Sequence, residues 1–275
     1  MQKAIKKITQ QVLQPNHMGF SSVDMFHNEF DFEPFLVFTE FHMDKAIFGP
    51  HPHAGVSVMT YMLPDSEGSF LNRDSQGDHS IIEPGGLHVT QAGSGIKHDE
   101  VPTVNGIDCH GFQIWINHAD RDRLVAPKAF HAFSKDVPEY NDATMQLRVV
   151  QGTYQNLASP IDLVTKTMLF DITLQPHAVI ELDALAMAFV YLMKGRLIME
   201  DKAIDGCAMI NFENTGDKII IKAGDETAHF IFASGTPHNE PIVHGGPFVM
   251  TTQEQMTATK QRLQRGEMGE LHPLG

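Results

Sequence analysis

Short apolar runs separated by glycine- and proline-bearing turns recur along nearly the whole chain. Val56 to Tyr61 (VSVMTY), Phe112 to Ile116 (FQIWI) and Gln146 to Val150 (QLRVV) have the length and the β-branched, aromatic content of strands. So do Lys166 to Leu174, Ala188 to Met193, Lys218 to Lys222 and His229 to Ala233. Between them stand turn signals such as Pro64-Asp65, Glu67-Gly68, Pro84-Gly85-Gly86, Lys194-Gly195, Asp205-Gly206 and Ala223-Gly224-Asp225. Many short strands at regular spacing predict an all-β sandwich or barrel rather than a βαβ arrangement. Helical periodicity is weak until the end of the chain. There Gln253 to Arg265 (QEQMTATKQRLQR) places Met256 and Leu263 on one face, with Thr251 or Thr252 as a cap and Gly266 as a stop.

The two halves share a loose plan: an apolar strand, a glycine turn, then a Pro-Gly or Ala-Gly step before another strand. The polar, proline-bearing segment Ser134 to Asp142 (SKDVPEYND) is the best linker between them. A length of 275 residues fits two domains of about 130 residues, each able to bury its own core. The division expected is 1–135 and 136–275.

Composition narrows the function. The only cysteines, Cys109 and Cys207, are far apart and form no CxxC, so neither a disulfide framework nor a thiolate zinc site is expected. Met1 to Asn16 carries Lys3, Lys6 and Lys7 but no apolar run of signal-peptide type. No stretch approaches the roughly 20 apolar residues of a membrane span. A soluble, cytoplasmic protein is expected. The formal net charge of −14 disfavours direct nucleic-acid binding. The densest basic group, Lys260, Arg262 and Arg265, is interleaved with Glu254, Glu267 and Glu270. The 16 histidines are the unusual feature.

Pro50-His51-Pro52-His53-Ala54-Gly55 leads into the Val56 strand. On an extended backbone, side chains two apart share a face, so His51 and His53 project together. Ile96-Lys97-His98-Asp99-Glu100 repeats the geometry, with His98 and Glu100 on one face and Asp99 on the other. Two such strands facing each other across a barrel would assemble three imidazoles and a carboxylate. That donor set suits one borderline divalent ion, most naturally Fe(II), with Mn, Ni, Cu or Zn also acceptable. An HxH pair alone is more often incidental than metal-binding. Two same-face pairs in a chain that reads as a small barrel reverse that judgement. His88 is the main rival ligand. His42, His79, His110, His118 and His131 lack a same-face partner and read as solvated or core residues. In the second half, His177 follows Gln175 and His229 has no carboxylate two residues away, so that half is expected to be metal-free. Gly93-Ser94-Gly95 lacks the spacing of a dinucleotide loop, and no GxSxG elbow occurs.

At this point the chain resembles the pirin family, a group of bicupins. The resemblance rests on Glu33-Pro34-Phe35-Leu36-Val37-Phe38, Phe48-Gly49-Pro50-His51-Pro52-His53-Ala54-Gly55 and Asp74-Ser75-Gln76-Gly77. It continues through Thr90-Gln91-Ala92-Gly93-Ser94-Gly95-Ile96-Lys97-His98-Asp99-Glu100, Gly111 to Asn117, Gly235-Thr236-Pro237 and Gly246 to Met250. It implies two tandem cupin β-barrels with a short C-terminal helix and a tail that packs back on the first domain. It also implies one metal, usually iron, in the N-terminal cupin on His51, His53, His98 and Glu100. The family's activities are quercetin-type flavonol dioxygenation and redox-sensitive transcriptional co-regulation. Two positions depart from the pattern: no arginine precedes the Glu33-Pro34 block, and Ala54 stands where the family tends to have arginine.

The expected function is therefore a ring-cleaving dioxygenase acting on flavonol-like aromatics with O₂. Glu100 serves as ligand and as base for the 3-hydroxyl proton. Phe48, Met59, Phe112 and Trp115 are candidate pocket walls. The alternative is a non-enzymatic, metal- and redox-dependent co-regulator whose acidic surface meets a basic protein partner.

Overall fold

Each apolar run folds as a strand, with bounds that differ by a few residues from those read in the sequence: Val56–Met62, Cys109–Asn117, Met145–Gln151, Thr167–Leu174, Met187–Lys194, Lys218–Ala223 and Ala228–Gly235. The computed structural model describes residues 1–16 and 18–274. Two seven-stranded antiparallel sheets dominate, and each is accompanied by a four-stranded sheet, giving the all-β bicupin architecture expected.

In the first barrel the large sheet runs Lys128–Ala132, Leu87–Gln91, Val56–Met62, Cys109–Asn117, Phe35–Met43, Phe20–Phe26 and Gln14–Asn16. Its four-stranded companion runs His51–His53, Ile96–Pro102, Phe70–Asp74 and His79–Ile82. Phe41, Met43, Met62, Phe70 and Ile82 pack between the two. The second barrel repeats the plan, with Val179–Asp183, Lys218–Ala223, Arg196–Met199 and Lys202–Asp205 as its smaller sheet.

The termini cross over. Ile5–Gln10 pairs with Ala208–Phe212 at the edge of the second barrel's large sheet. In the opposite direction, Phe248, Met250, Met256 and Met268 pack with Ala54 of the first barrel, and Ser75 Oγ donates to the Met268 carbonyl at 2.7 Å. The C-terminal helix spans Gln253–Gln264 and starts in a capping box between Thr252 and Gln255. Segment 134–142 is more ordered than a linker. Val137 is buried, and Glu139–Asn141 adds a strand beside Met145–Gln151. Among the described residues no helix is long and apolar enough to cross a membrane.

The two large sheets meet through a shared core that includes Phe35, Phe38, Tyr61, Phe112, Phe189, Tyr191 and Ile231. Phe189 is its hub, with ring centroids 5.4 Å from Phe32, 5.5 Å from Phe35 and 5.1 Å from Phe38. Met59 and Phe112, expected as pocket walls, belong to this core instead. Residue parity decides it, because neighbours along a strand face opposite ways. Polar pairs rim the same junction. Tyr61 donates to Asp171 at 2.7 Å, and His229 Nε2 lies 2.6 Å from the other Asp171 oxygen.

Phe189→Ala should cost about 3–5 kcal/mol, the usual range for emptying a buried aromatic site. Equilibrium denaturation measures it, and a loss below about 1 kcal/mol would show that the junction does not depend on this ring. The His229–Asp171 pair makes a pH prediction. Burial lowers the imidazole's pKa, but the hydrogen bond and charge of Asp171 outweigh it and raise the value above ordinary. A raised histidine stabilises fully below its unfolded pKa of about 6.5 and loses that contribution as pH climbs through the raised value. The melting-temperature advantage of the parent over His229→Gln should therefore be greatest near about pH 6 and shrink toward about pH 9.

Candidate metal centre

Three imidazoles converge because two local alternations are joined by one strand register. His51 and His53 lie on the short strand His51–His53, and His98 lies on Ile96–Pro102. The strands are antiparallel neighbours with His51 directly opposite His98. They thus sit side by side in the four-stranded sheet, not across the barrel as the sequence reading placed them. Cross-strand partners are close, so the rings meet: centroids are 4.9 Å apart for His51–His53, 4.7 Å for His51–His98 and 5.0 Å for His53–His98. One nitrogen from each lies within 4.8 Å of the other two.

The electrostatics keep His53 and His98 neutral. Burial, then the nearby His51, lowers the pKa of His53 to about 3. Burial and its two neighbouring imidazoles hold His98 well below the ordinary histidine range. The Nε2 atoms of His53 and His98 are buried without a hydrogen-bond partner, an arrangement that native interiors rarely tolerate unless something else binds there. His51 Nδ1 is engaged by the Gly49 carbonyl at 2.9 Å, which leaves its Nε2 for a ligand role. Three converging imidazole nitrogens of this kind fit a divalent transition ion.

Glu100 shares the His98 face, but its oxygens are not among the atoms of the trio. Oε1 accepts from Thr60 at 2.7 Å and Oε2 accepts from Gln113 at 2.9 Å. Burial raises the carboxyl above its ordinary pKa despite both hydrogen bonds. His88, the rival ligand, is fully buried on Leu87–Gln91 and stays outside the trio. Burial lowers it to about 4.

A cavity of about 1080 Å³ opens onto the centre. Its wall includes Phe41, Phe48, Phe70 and Trp115, and His51, His53 and Glu100 lie at its polar end. Trp115 meets His53 edge-on at 4.7 Å. Residues that sequence reasoning missed are Thr60 and Gln113, which hold Glu100, and Asp24, a second carboxylate in the cavity that accepts from Ser22 and Thr39. Nothing local marks them, because each depends on strands distant in sequence. The same holds for the rim, where His27 stacks on His244 from the second half at 5.0 Å.

Residues 4–116 match the family described as Pirin, and residues 169–269 match the Pirin C-terminal cupin domain. A pirin-like protein of Arabidopsis thaliana is 36% identical over 83% of this chain and 77% of its own length. A quercetin 2,3-dioxygenase structure from Acinetobacter baumannii is similar with a TM-score of 0.88 and 21% identity, covering 99% of this chain and 100% of that one. The bacterial pirin YhhW of Escherichia coli, solved in complex with nickel(II), gives a TM-score of 0.67 and 18% identity over 84% of this chain and 99% of that one. At those identities the two structures speak to the fold.

The parent should retain one divalent ion at this centre through anaerobic iron loading and desalting, and the double variant His51→Ala/His53→Ala should lose it. His88→Ala should keep it. Elemental analysis decides, and full iron content in the double variant would remove these histidines from the site.

Proposed function

The chain belongs to the pirin family, and from that premise we propose that it is a metal-dependent dioxygenase cleaving quercetin-type flavonols with O₂. The observation that carries this reading is the large apolar cavity that reaches His51 and His53 of the converging imidazole trio, in which Nε2 of His53 and of His98 has no hydrogen-bond partner. His51, His53, His98 and Glu100 are its metal ligands, and Fe(II) is its ion. When bound, the ion would supply Lewis acidity toward a substrate oxygen and the means to engage O₂.

The chain's own residues do the rest. Phe41, Phe48, Phe70 and Trp115 offer flat apolar contact to an aromatic ring and exclude water around it. Glu100 takes the substrate's 3-hydroxyl proton. Its raised pKa brings it closer to the basicity such a transfer needs. Thr60 and Gln113 fix the carboxylate's direction. The division at 1–135 and 136–275 assigns this chemistry to the N-terminal cupin. The C-terminal cupin is then a metal-free structural and gating domain, which contributes His244, Gly246 and Pro247 to the cavity rim. The two free thiols suit a cytoplasmic setting. The net charge of −14 favours a second reading, a metal-dependent adaptor for a basic protein partner.

Glu100→Gln separates the two. It keeps the shape and one ligating oxygen but lacks basicity. Flavonol turnover should fall roughly 10²-fold or more while much of the metal is retained. Activity should recover in part at higher pH, where the flavonol ionises unaided. Equal turnover at neutral pH would take Glu100 out of the mechanism, and an inert iron-loaded parent would favour the adaptor.

A further inference from the structure

The wall that lines the cavity carries a second set of ligating side chains on its other face. Along Phe35–Met43, Val37, Thr39 and Phe41 look into the cavity. Phe38, Glu40 and His42 have the opposite parity and look toward the second barrel, where Phe38 joins the shared core. On Cys109–Asn117, Gln113 and Trp115 line the cavity while His110 and Phe112 face the junction. His110 is the direct cross-strand partner of His42, and their rings stack with centroids 3.9 Å apart. One ligand atom from each of Glu40, His42 and His110 lies within 4.8 Å of the other two. Among the described residues only one other group, the His51–His53–His98 trio, has this property.

Two members have their remaining polar atom hydrogen-bonded, and the third has a carboxylate nearby. His42 Nδ1 is held by Asp108 at 2.7 Å. Glu40 Oε2 accepts from the Tyr191 hydroxyl of the second barrel, whose oxygen also lies 2.8 Å from Cys207 Sγ. His110 Nδ1 lies 3.9 Å from an Asp65 oxygen. What remains is His42 Nε2, His110 Nε2 and Glu40 Oε1, the last two 2.8 Å apart. Protein metal sites are built in this way: an outer carboxylate or hydroxyl sets the tautomer and direction of each ligand. Glu40, Asp65 and Asp108 together favour a dication. The half-exposed side chains of His42 and Asp108, at 32% and 44%, leave a way in.

We propose that Glu40, His42 and His110 form a second cation site, of the zinc class, at the junction of the two barrels. Two imidazoles and one carboxylate with a fourth position open to water are a common zinc donor set. By the usual order of divalent affinities the site takes zinc in preference to Fe(II). Because Glu40 is bonded to Tyr191, an ion here clamps one barrel to the other. The His110–Glu40 hydrogen bond and the near-parallel ring stack, with 15° between the planes, are the arrangement it replaces, the His42 ring turning out of the stack so that both nitrogens face one ion.

The test uses full-length protein carrying His51→Ala/His53→Ala, so that the cavity centre is silent whatever its function. After zinc loading and desalting, one zinc per chain should remain, and cobalt(II) in its place should give the visible absorption of a four-coordinate ion. Adding His110→Ala should abolish both. No retained zinc in the double variant, or unchanged zinc after adding His110→Ala, overturns the proposal. Asp108→Asn in the parent serves if the triple variant does not fold. It removes only the half-exposed partner of His42 and should weaken zinc roughly 10–100-fold at this site, and an unchanged affinity overturns the proposal equally.

Discussion

The structure depends on one sheet that is buried on both faces. In most antiparallel sheets one face meets the core and the other meets water. The wall formed by Val56–Met62, Cys109–Asn117 and Phe35–Met43 instead has a cavity on one side and a second barrel on the other. Alternation with a period of two then divides the work of each strand. Thr39, Gln113 and Trp115 belong to the cavity, while Phe38, Phe112 and His110 belong to the junction. A one-residue slip of any of these strands would exchange the two sets and empty both.

That constraint explains the exchange of termini. The strand Ile5–Gln10 closes the edge of the second large sheet, and the C-terminal segment covers the first barrel next to the metal centre. Arg123 fastens the latter from within. Its fully buried guanidinium donates through Nη1 to Asn117 Oδ1 at 2.6 Å, to the Gly55 carbonyl at 2.9 Å and to the Val249 carbonyl at 3.4 Å. A buried charge with several acceptors is tolerable where an unpaired one is not. Gly55 is required at this approach. Its φ is +78°, and a Cβ there would stand 1.9 Å from the Val249 oxygen. The loop that presents His53 is thus held by the far end of the chain.

The metal centre has a related economy. Burying His53 and His98 without hydrogen-bond partners for their Nε2 atoms costs stability. Desolvation also keeps His53 and His98 neutral, which is the state a metal ligand needs. The penalty and the capacity to bind an ion have one cause.

The sequence by itself determined what depends on neighbours along the chain. The strands were legible from apolar runs between turns. The helix and its Thr252 cap followed from local capping chemistry, and His51 with His53 and His98 with Glu100 could be paired because residues two apart on a strand share a face. Tertiary structure decided everything that depends on which strand lies beside which. It set His98 next to His51 in one sheet, gave Glu100 to Thr60 and Gln113, and turned Met59 and Phe112 away from the cavity. It also brought His110 to His42 and Glu40, so that His42, read from the sequence as lacking a same-face partner, has one in Glu40 and another across the strand pair. The reason is physical: side-chain alternation is a property of a single strand, whereas register is settled by pairing and burial between segments tens of residues apart.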